Sequence, residues 1–296
     1  SVTFAAMTGP HGRPDADADT LRAALAARFD LTGALRPLPG ERDQNARLDT
    51  PDGRALVVKV TAPAEPDDLL AFESRLMAWL GERGTCPVPR IEPDVDGELV
   101  TRWPGADGID LRIRVLEMLP GRSMAARESA PEGLLTDLGR RVGVLDADLL
   151  KYPDRPPHRP DFEWSLDRAP EVMERALDLL DGPRRRRIEQ CLMAFRESAP
   201  RRSALARQIV HGDVNDHNVL VSATFDGPPR VTGLLDFGDI HEAPAVDDLA
   251  ICAAYALFSR KDPLEALAAV VRGYRYARPL SPDEAALVLP LVRARL

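Results

Sequence analysis

The apolar residues of this chain change their period once, and that change limits the folds open to it. Up to residue 119 they fall in short runs that read as strands: Ala34–Leu38, Ala46–Asp49, Ala55–Val60 (ALVVKV), Glu98–Arg102 and Ile113–Met118. Pro51-Asp52-Gly53 supplies a turn between the second and third. Two helices interrupt them, Thr20–Phe29 and Asp67–Glu82, the latter carrying Leu69, Phe72, Leu76, Met77 and Leu80 at helical spacing. Beyond Pro120-Gly121 the period becomes that of helices: Glu132–Leu150, Glu171–Leu180, Arg184–Phe195, Val246–Phe258, Pro263–Ala277 and Pro282–Leu296, with one hairpin near Val219–Leu235. The fold class is therefore α+β. Residues 1–19, rich in Gly, Pro, Ala and Asp, read as a flexible leader; 20–119 form a strand-rich lobe and 120–296 a helical lobe. The last helix lacks a stop signal while Leu287, Leu291 and Val292 still face a core, which predicts a fragment of a longer polypeptide.

Composition narrows the function classes. No apolar run approaches the ~18 residues of a membrane span, so no membrane partner is expected. A net charge of −8 argues against nucleic acid as the main partner. Cys86, Cys191 and Cys252 form neither a disulfide framework nor a zinc pattern, which fits a reducing, cytoplasmic setting. Acidic charge is concentrated: residues 211–250 hold seven Asp and one Glu against one Arg. That is a solvated face or a site for a divalent cation and a cationic substrate. The run Arg184–Arg187 reads as an exposed helix face.

Two stretches carry chemistry, IVHGDVNDHNVLV (Ile209–Val221) and VTGLLDFGD (Val231–Asp239). Each sets polar residues against apolar ones. If Val219–Val221 and Val231–Leu235 pair antiparallel across the loop Asp226-Gly227-Pro228-Pro229, Asn218 comes to lie beside Asp236, since paired strands run about 4.8 Å apart. A carboxylate and an amide oxygen there suit Mg²⁺. Asp213, in the loop just before, can face the same cavity. Phosphoryl transfer needs these parts: a carboxylate to take the proton of the attacking hydroxyl, metal ligands for a triphosphate, and positive charge on the phosphates. Asp213 is the candidate base; Asn218 and Asp236 are the candidate metal ligands.

The order H-x-D-x-x-x-x-N followed by D-F-G resembles the protein-kinase catalytic loop and metal motif. The form HGD-x-x-x-x-N resembles the aminoglycoside phosphotransferase superfamily. At finer grain GERDQN (Gly40–Asn45), HGDVNDHNVLV, GLLDFGD (Gly233–Asp239) and FEWSLDRAP (Phe162–Pro170) resemble the hydroxylysine kinase branch, and the kinase domains fused to pyridoxal-phosphate-dependent, aminotransferase-like lyases. The likeness runs from about residue 30 onward, and the family chain continues through further helices where this one stops. It implies a protein-kinase-like two-lobed fold, Mg²⁺, ATP or GTP as donor, and a small cationic hydroxyl-bearing acceptor such as a hydroxy-amino acid or amino alcohol. A fused or associated pyridoxal-phosphate-dependent lyase is the implied partner.

A kinase-like fold also asks for a lysine on the third strand and a glutamate on the next helix. Lys59 sits inside ALVVKV, and Glu73 shares the face of Leu69, Leu76 and Leu80 at about 100° per residue. A buried lysine needs a counter-charge, so a Lys59–Glu73 ion pair is expected, with Lys59 on the α/β-phosphates. The alternative is a Glu73 at the rim of the stripe and a snorkelling Lys59. Pro39–Asn45 holds one glycine, Gly40, where kinases carry several. Backbone amides around Glu41–Gln44 are candidate phosphate caps, with an ordinary polar turn equally consistent. Leu116–Leu119 resembles the lobe-connecting hinge, which makes Glu117 and Leu119 candidates for binding the base.

The substrate side is thinner. Asp239, Glu242, Asp247 and Asp248 are candidate ammonium ligands or structural acceptors, and His217 faces substrate or packs. His211 reads as a brace of the loop. Trp164 fills the core or lines the cleft. Three rivals stand beside the main reading: an antibiotic O-phosphotransferase, a non-catalytic nucleotide-binding kinase-like domain, and a metallohydrolase built on His211, Asp213, Asp216 and His217.

Overall fold

The computed structural model describes residues 13–61, 64–105, 108–127, 130–222, 227–258 and 262–296. The first part of the expected leader, residues 1–12, and Asp226 of the expected hairpin loop lie outside them. The chain divides into two compact units, residues 1–82 with 89–118, and residues 83–88 with 119–296.

In unit 1, α1 (Ala18–Phe29) opens two residues before the expected start, because Asp17 caps it by accepting from the Asp19 and Thr20 amides. An antiparallel sheet follows, β1 (Ala34–Leu38), β2 (Gln44–Asp49), β3 (Ala55–Thr61), β4 (Ile91–Glu92), β5 (Thr101–Pro104) and β6 (Asp110–Glu117), in the order β1-β2-β3-β6-β4 with β5 also on β6. The strand expected at Glu98–Arg102 is displaced to Thr101–Pro104, and the two-residue β4 is too short to leave a periodic signal. Alternation decides the faces. Leu56, Val58, Val60, Ile113 and Val115 point to one side and pack with Leu21, Leu25 and Phe29 of α1. The opposite side carries Lys59 and its register partner Arg114, together with Arg112. There Arg112 and Arg114 pair with Asp67 and Glu73 of α2 (Asp67–Arg83).

Unit 2 is built on α3 (Glu132–Leu149), α4 (Ala169–Leu177), α5 (Gly182–Ser203), α6 (Val246–Ala256), α7 (Pro263–Ala277) and α8 (Pro282–Arg295). α3 and α7 touch backbone to backbone. A Cβ on Gly139 would stand 1.9 Å from the Val270 carbonyl oxygen, and one on Gly273 1.9 Å from that of Thr136. Two small sheets sit with these helices: β7 (Arg122–Ser123) beside β9 (Val219–Val221) and β10 (Val231–Leu234), and β8 (Gln208–Val210) beside β11 (His241–Ala243). Among the described residues no helix is long and apolar enough to cross a membrane. Cys86 and Cys252 are buried, and burial pushes the Cys86 thiol up to about 12.

Candidate active site

The loop that leaves β8 is tied down at its backbone before it presents any side chain. The Asp248 carboxylate, on the first turn of α6, accepts the His211 amide at 2.6 Å and the Gly212 amide at 2.8 Å. Asp248 is fully buried, so these charge-assisted bonds are strong. Gly212 holds φ +81°, and a Cβ there would lie 2.4 Å from the Asp239 carbonyl oxygen, so only glycine fits. The His211 Nδ1 accepts the Asp213 amide at 3.2 Å, which leaves Nε2 to donate to the Leu235 carbonyl at 3.0 Å. Its ring packs on Phe237, centroids 4.6 Å apart. Both ring nitrogens of His211 are thus spent inside the protein. That geometry removes it from any metal cluster with Asp213, Asp216 and His217.

The hairpin forms as expected, with Val219 opposite Leu234, and the Leu235 amide donates to the Asn218 carbonyl at 2.8 Å. Asp236 follows directly. It is exposed and takes φ +63°, unusual for a residue with a Cβ and worth about 1–3 kcal/mol of backbone strain. Such strain is a feature of positions whose side-chain direction matters more than local stability. Asp213 accepts four hydrogen bonds from side chains. Its Oδ2 accepts the side-chain amides of Asn215 at 2.8 Å and Asn218 at 2.9 Å. Its backbone carbonyl takes Asn218 again at 3.0 Å, and its Oδ1 accepts Arg295 at 3.1 Å. Burial raises the Asp213 pKa. The Asn215 amide pulls it back, the Asp239 charge raises it again, and His211 and Arg295 lower it.

Other candidates are placed differently. His217 is exposed and donates its amide to Asn215. Asp239 is buried next to the loop, its carbonyl on His241 Nδ1 at 2.8 Å. Glu242 points out of β11 and is held by Arg155 at 2.7 Å. Asp247 is gripped by Arg202, with Nε 3.2 Å from Oδ1, and Asp248 by the loop amides, so both carboxylates are structural. Trp164, expected in a core or cleft, has 59% of its surface exposed. The neighbours Phe162 and Leu166 supply the core contacts of that segment instead.

In unit 1 the expected Lys59–Glu73 pair gives way to two others. Glu73 is paired with Arg114 at 2.9 Å, and Lys59 with Asp43 at 3.2 Å. Lys59 and Glu73 do face the same side of the sheet. Arg114 stands directly across from Lys59 in the register and is only 1% exposed. A fully buried guanidinium has the greater need of a carboxylate. The signal for it was legible as the alternation Arg112-Ile113-Arg114-Val115 in a buried strand. Gln44 spends its side-chain amide on both backbone groups of Ala16, at 2.7 Å each, which fastens the leader at that point. Gly40 is required by close approach, since a Cβ would meet the Asp43 carbonyl at 2.4 Å. The Glu117 and Met118 amides go to the carbonyls of Arg90 and Ala55, at 2.7 and 3.1 Å, and cannot donate to a base. Leu119 lies over Gly233, its Cδ1 2.9 Å from where a Cβ would stand.

Among the described residues no three His, Cys, Asp or Glu side chains cluster as a metal cage. One carboxylate and one amide oxygen, completed by phosphate oxygens and water, is the ligand set Mg²⁺-like ions accept. The Asn218 amide nitrogen is turned to Asp213, which leaves its oxygen as the remaining donor.

Comparison with known proteins agrees with this reading of parts. Residues 34–287 match the model of the APH phosphotransferase enzyme family. Hydroxylysine kinase of Bos taurus is 30% identical over 282 residues, 88% of this chain and 74% of that one. Two solved structures share the fold. An amicoumacin kinase in complex with AMP-PNP and Ca²⁺ has TM-score 0.71 and 17% identity, covering 94% of this chain and 83% of that one. A microcompartment-associated aminopropanol kinase has TM-score 0.67 and 21% identity, covering 94% and 86%. A kinase-like fold and a small-molecule hydroxyl as acceptor follow together: this chain belongs to the phosphotransferase enzyme family and is a small-molecule kinase.

Proposed function

We propose that the chain transfers the γ-phosphoryl group of ATP or GTP to the hydroxyl of a small hydroxy-amino acid or amino alcohol, hydroxylysine being the acceptor its relatives suggest. Asp213 acts as the base that accepts the hydroxyl proton. Asn218 and Asp236 would hold Mg²⁺, which would supply positive charge to the phosphates. Lys59 adds positive charge to them. The observation that carries the reading is the single hydrogen-bonded path through Asp213, Asn218 and Leu235 to Asp236. It ties these residues to one another through backbone and amide contacts, which supports the reading. Asp239 is the acidic candidate best placed for a substrate ammonium, being buried and close enough to raise the Asp213 pKa. A phosphate ester of such an acceptor is a suitable substrate for elimination, so a fused or associated pyridoxal-phosphate-dependent lyase fits downstream, in the cytoplasm.

The test is a coupled nucleotide-consumption assay with Mg²⁺, ATP and GTP in parallel, and a panel of hydroxy-amino acids, amino alcohols and aminoglycosides. Acceptor-dependent turnover on the first two classes is expected. Turnover confined to aminoglycosides would transfer the protein to the antibiotic-modifying class.

A further inference from the structure

The Asp213 carboxylate is unevenly used. A carboxylate offers about four acceptor positions. The two on Oδ2 are filled by Asn215 and Asn218, and one on Oδ1 is filled by Arg295. The position left for an acceptor hydroxyl is therefore on Oδ1, directly beside the Arg295 guanidinium. Residues His211–Asn218 of the loop include no Lys or Arg, so this cation is brought in from α8.

Arg295 is held as a recognition group is held. Its Nη1 donates to the Trp164 carbonyl at 3.3 Å and its Nη2 to the Tyr255 hydroxyl at 3.4 Å. The Trp164 and Tyr255 rings each lie 5.6 Å from its Cζ. Only 9% of the side chain is exposed, yet Nε has no hydrogen-bond partner among the described residues. Of the five N–H donors of a guanidinium, three are accounted for. Nε is sealed from solvent, so the donor left for a ligand is the second N–H of Nη1, and a desolvated cation offers it best to an anion, as a charge-assisted hydrogen bond. An acceptor with ammonium groups alone would set like charges together beside the base.

We infer that Arg295 is the specificity-determining residue that binds a carboxylate of the acceptor, and so selects zwitterionic hydroxy-amino acids over amino alcohols and amino sugars. This rests on the reading of Asp213 as the base. In that arrangement the hydroxyl is bound on Asp213 Oδ1 while the carboxylate occupies the neighbouring guanidinium, so one side-chain pair fixes two groups of the same substrate.

The test compares acceptors that differ only in the carboxylate: homoserine with 3-aminopropan-1-ol, and 5-hydroxylysine with 1,5-diaminopentan-2-ol. kcat/KM is measured for the wild type, Arg295→Met and Arg295→Lys, with thermal melts to confirm folding. In at least one pair the wild type should prefer the carboxylate on the order of 10- to 100-fold, the range of one charge-assisted hydrogen-bonding group. Arg295→Met should shrink that ratio to within about threefold, and Arg295→Lys, which keeps the charge, should retain part of it. A wild-type ratio near one overturns the inference. So does an Arg295→Met loss that is equal for both members of a pair, which would place the guanidinium on the transferred phosphoryl group instead. If no acceptor is phosphorylated, the kinase reading fails separately, and calorimetry still decides the point. Homoserine or hydroxylysine binding that Arg295→Met abolishes supports the carboxylate site; binding that is absent, or unchanged by the substitution, overturns it.

Discussion

Each unit holds an arginine–carboxylate pair, and the two are alike in distance but not in setting. Arg114 and Glu73 meet at 2.9 Å with 1% and 5% of their side chains exposed. Arg295 and Asp213 meet at 3.1 Å, but 21% of Asp213 is open. The first joins strand β6 to helix α2 inside a folded layer, where no ligand reaches. The second joins α8 to a loop whose carboxylate has an acceptor position left over. A closed pair fixes geometry; an open one can exchange partners. The difference separates a structural ion pair from a working one more clearly than the distances do.

The largest effect expected on that contrast is on turnover. Asp213→Ala removes the proposed proton acceptor and should lower kcat by at least about 10³-fold, within the range of general-base catalysis. Nucleotide binding, read by fluorescence titration, should stay near wild type. Asp236→Ala should lose both. Transfer at normal rate by Asp213→Ala would remove the base from the mechanism and the contrast with it.

Next come the closed pairs. Glu73→Ala leaves the Arg114 guanidinium buried without its carboxylate, at a cost of about 3–5 kcal/mol in urea unfolding. The double variant Glu73→Leu/Arg114→Met should recover most of it, because removing both charges is often nearly neutral. A double variant as unstable as the single one would show that the pair itself, not the orphaned charge, supplies the stability. Asp248→Ala strips two buried amides of their acceptor and should cost about 2–4 kcal/mol, with turnover falling as the loop loosens.

A pH effect distinguishes a third buried acid. Asp146, fully buried, accepts from the Tyr274 hydroxyl, and its pKa is raised by burial and then by the charge of Asp248. Above the ordinary carboxylate range near 3.9, the folded state holds a proton that the unfolded chain has released. Its contribution is therefore complete at low pH and is lost as pH rises through the folded pKa, by up to about 1.4 kcal/mol per pH unit. Asp146→Asn removes that slope, so its stability relative to wild type should improve from acid to neutral pH. Parallel pH curves for the two proteins would contradict the assignment.

The contacts around Asp213 were more legible in the sequence than those around Lys59, for a physical reason. Asp213, Asn218 and Asp236 are brought together by a local hairpin, whose pairing follows from two apolar runs and a turn. His211 and Phe237 belong to the same short stretches. Lys59, Glu73 and Arg114 come from three elements, and which cation takes the carboxylate depends on a strand register that no local pattern specifies. The side-chain partner of Gln44, Ala16, lies 28 residues away and left no local signal either. Asp248 and Arg295 are further cases. Each acts on the catalytic loop from a helix whose packing, rather than its sequence, sets the contact. Arg295 carried no signal at all, one charged residue among several near the end of a helix.

The smallest expected effect bears most directly on the comparison. If the Arg295–Asp213 pair is built to exchange partners, breaking it should cost little in stability. Asp213 is partly open, so water can take the guanidinium's place there, and the loss should fall below the ~3–5 kcal/mol of breaking a fully buried pair. Arg295→Met keeps most of the apolar stem between Trp164 and Tyr255, so packing loss adds little. Its urea midpoint should lie close to wild type and well above that of Glu73→Ala, while acceptor selectivity changes. A stability loss equal to that of Glu73→Ala would mean that Arg295 clamps the loop as Arg114 clamps α2. The guanidinium would then be explained by loop packing alone, with no need of a substrate carboxylate.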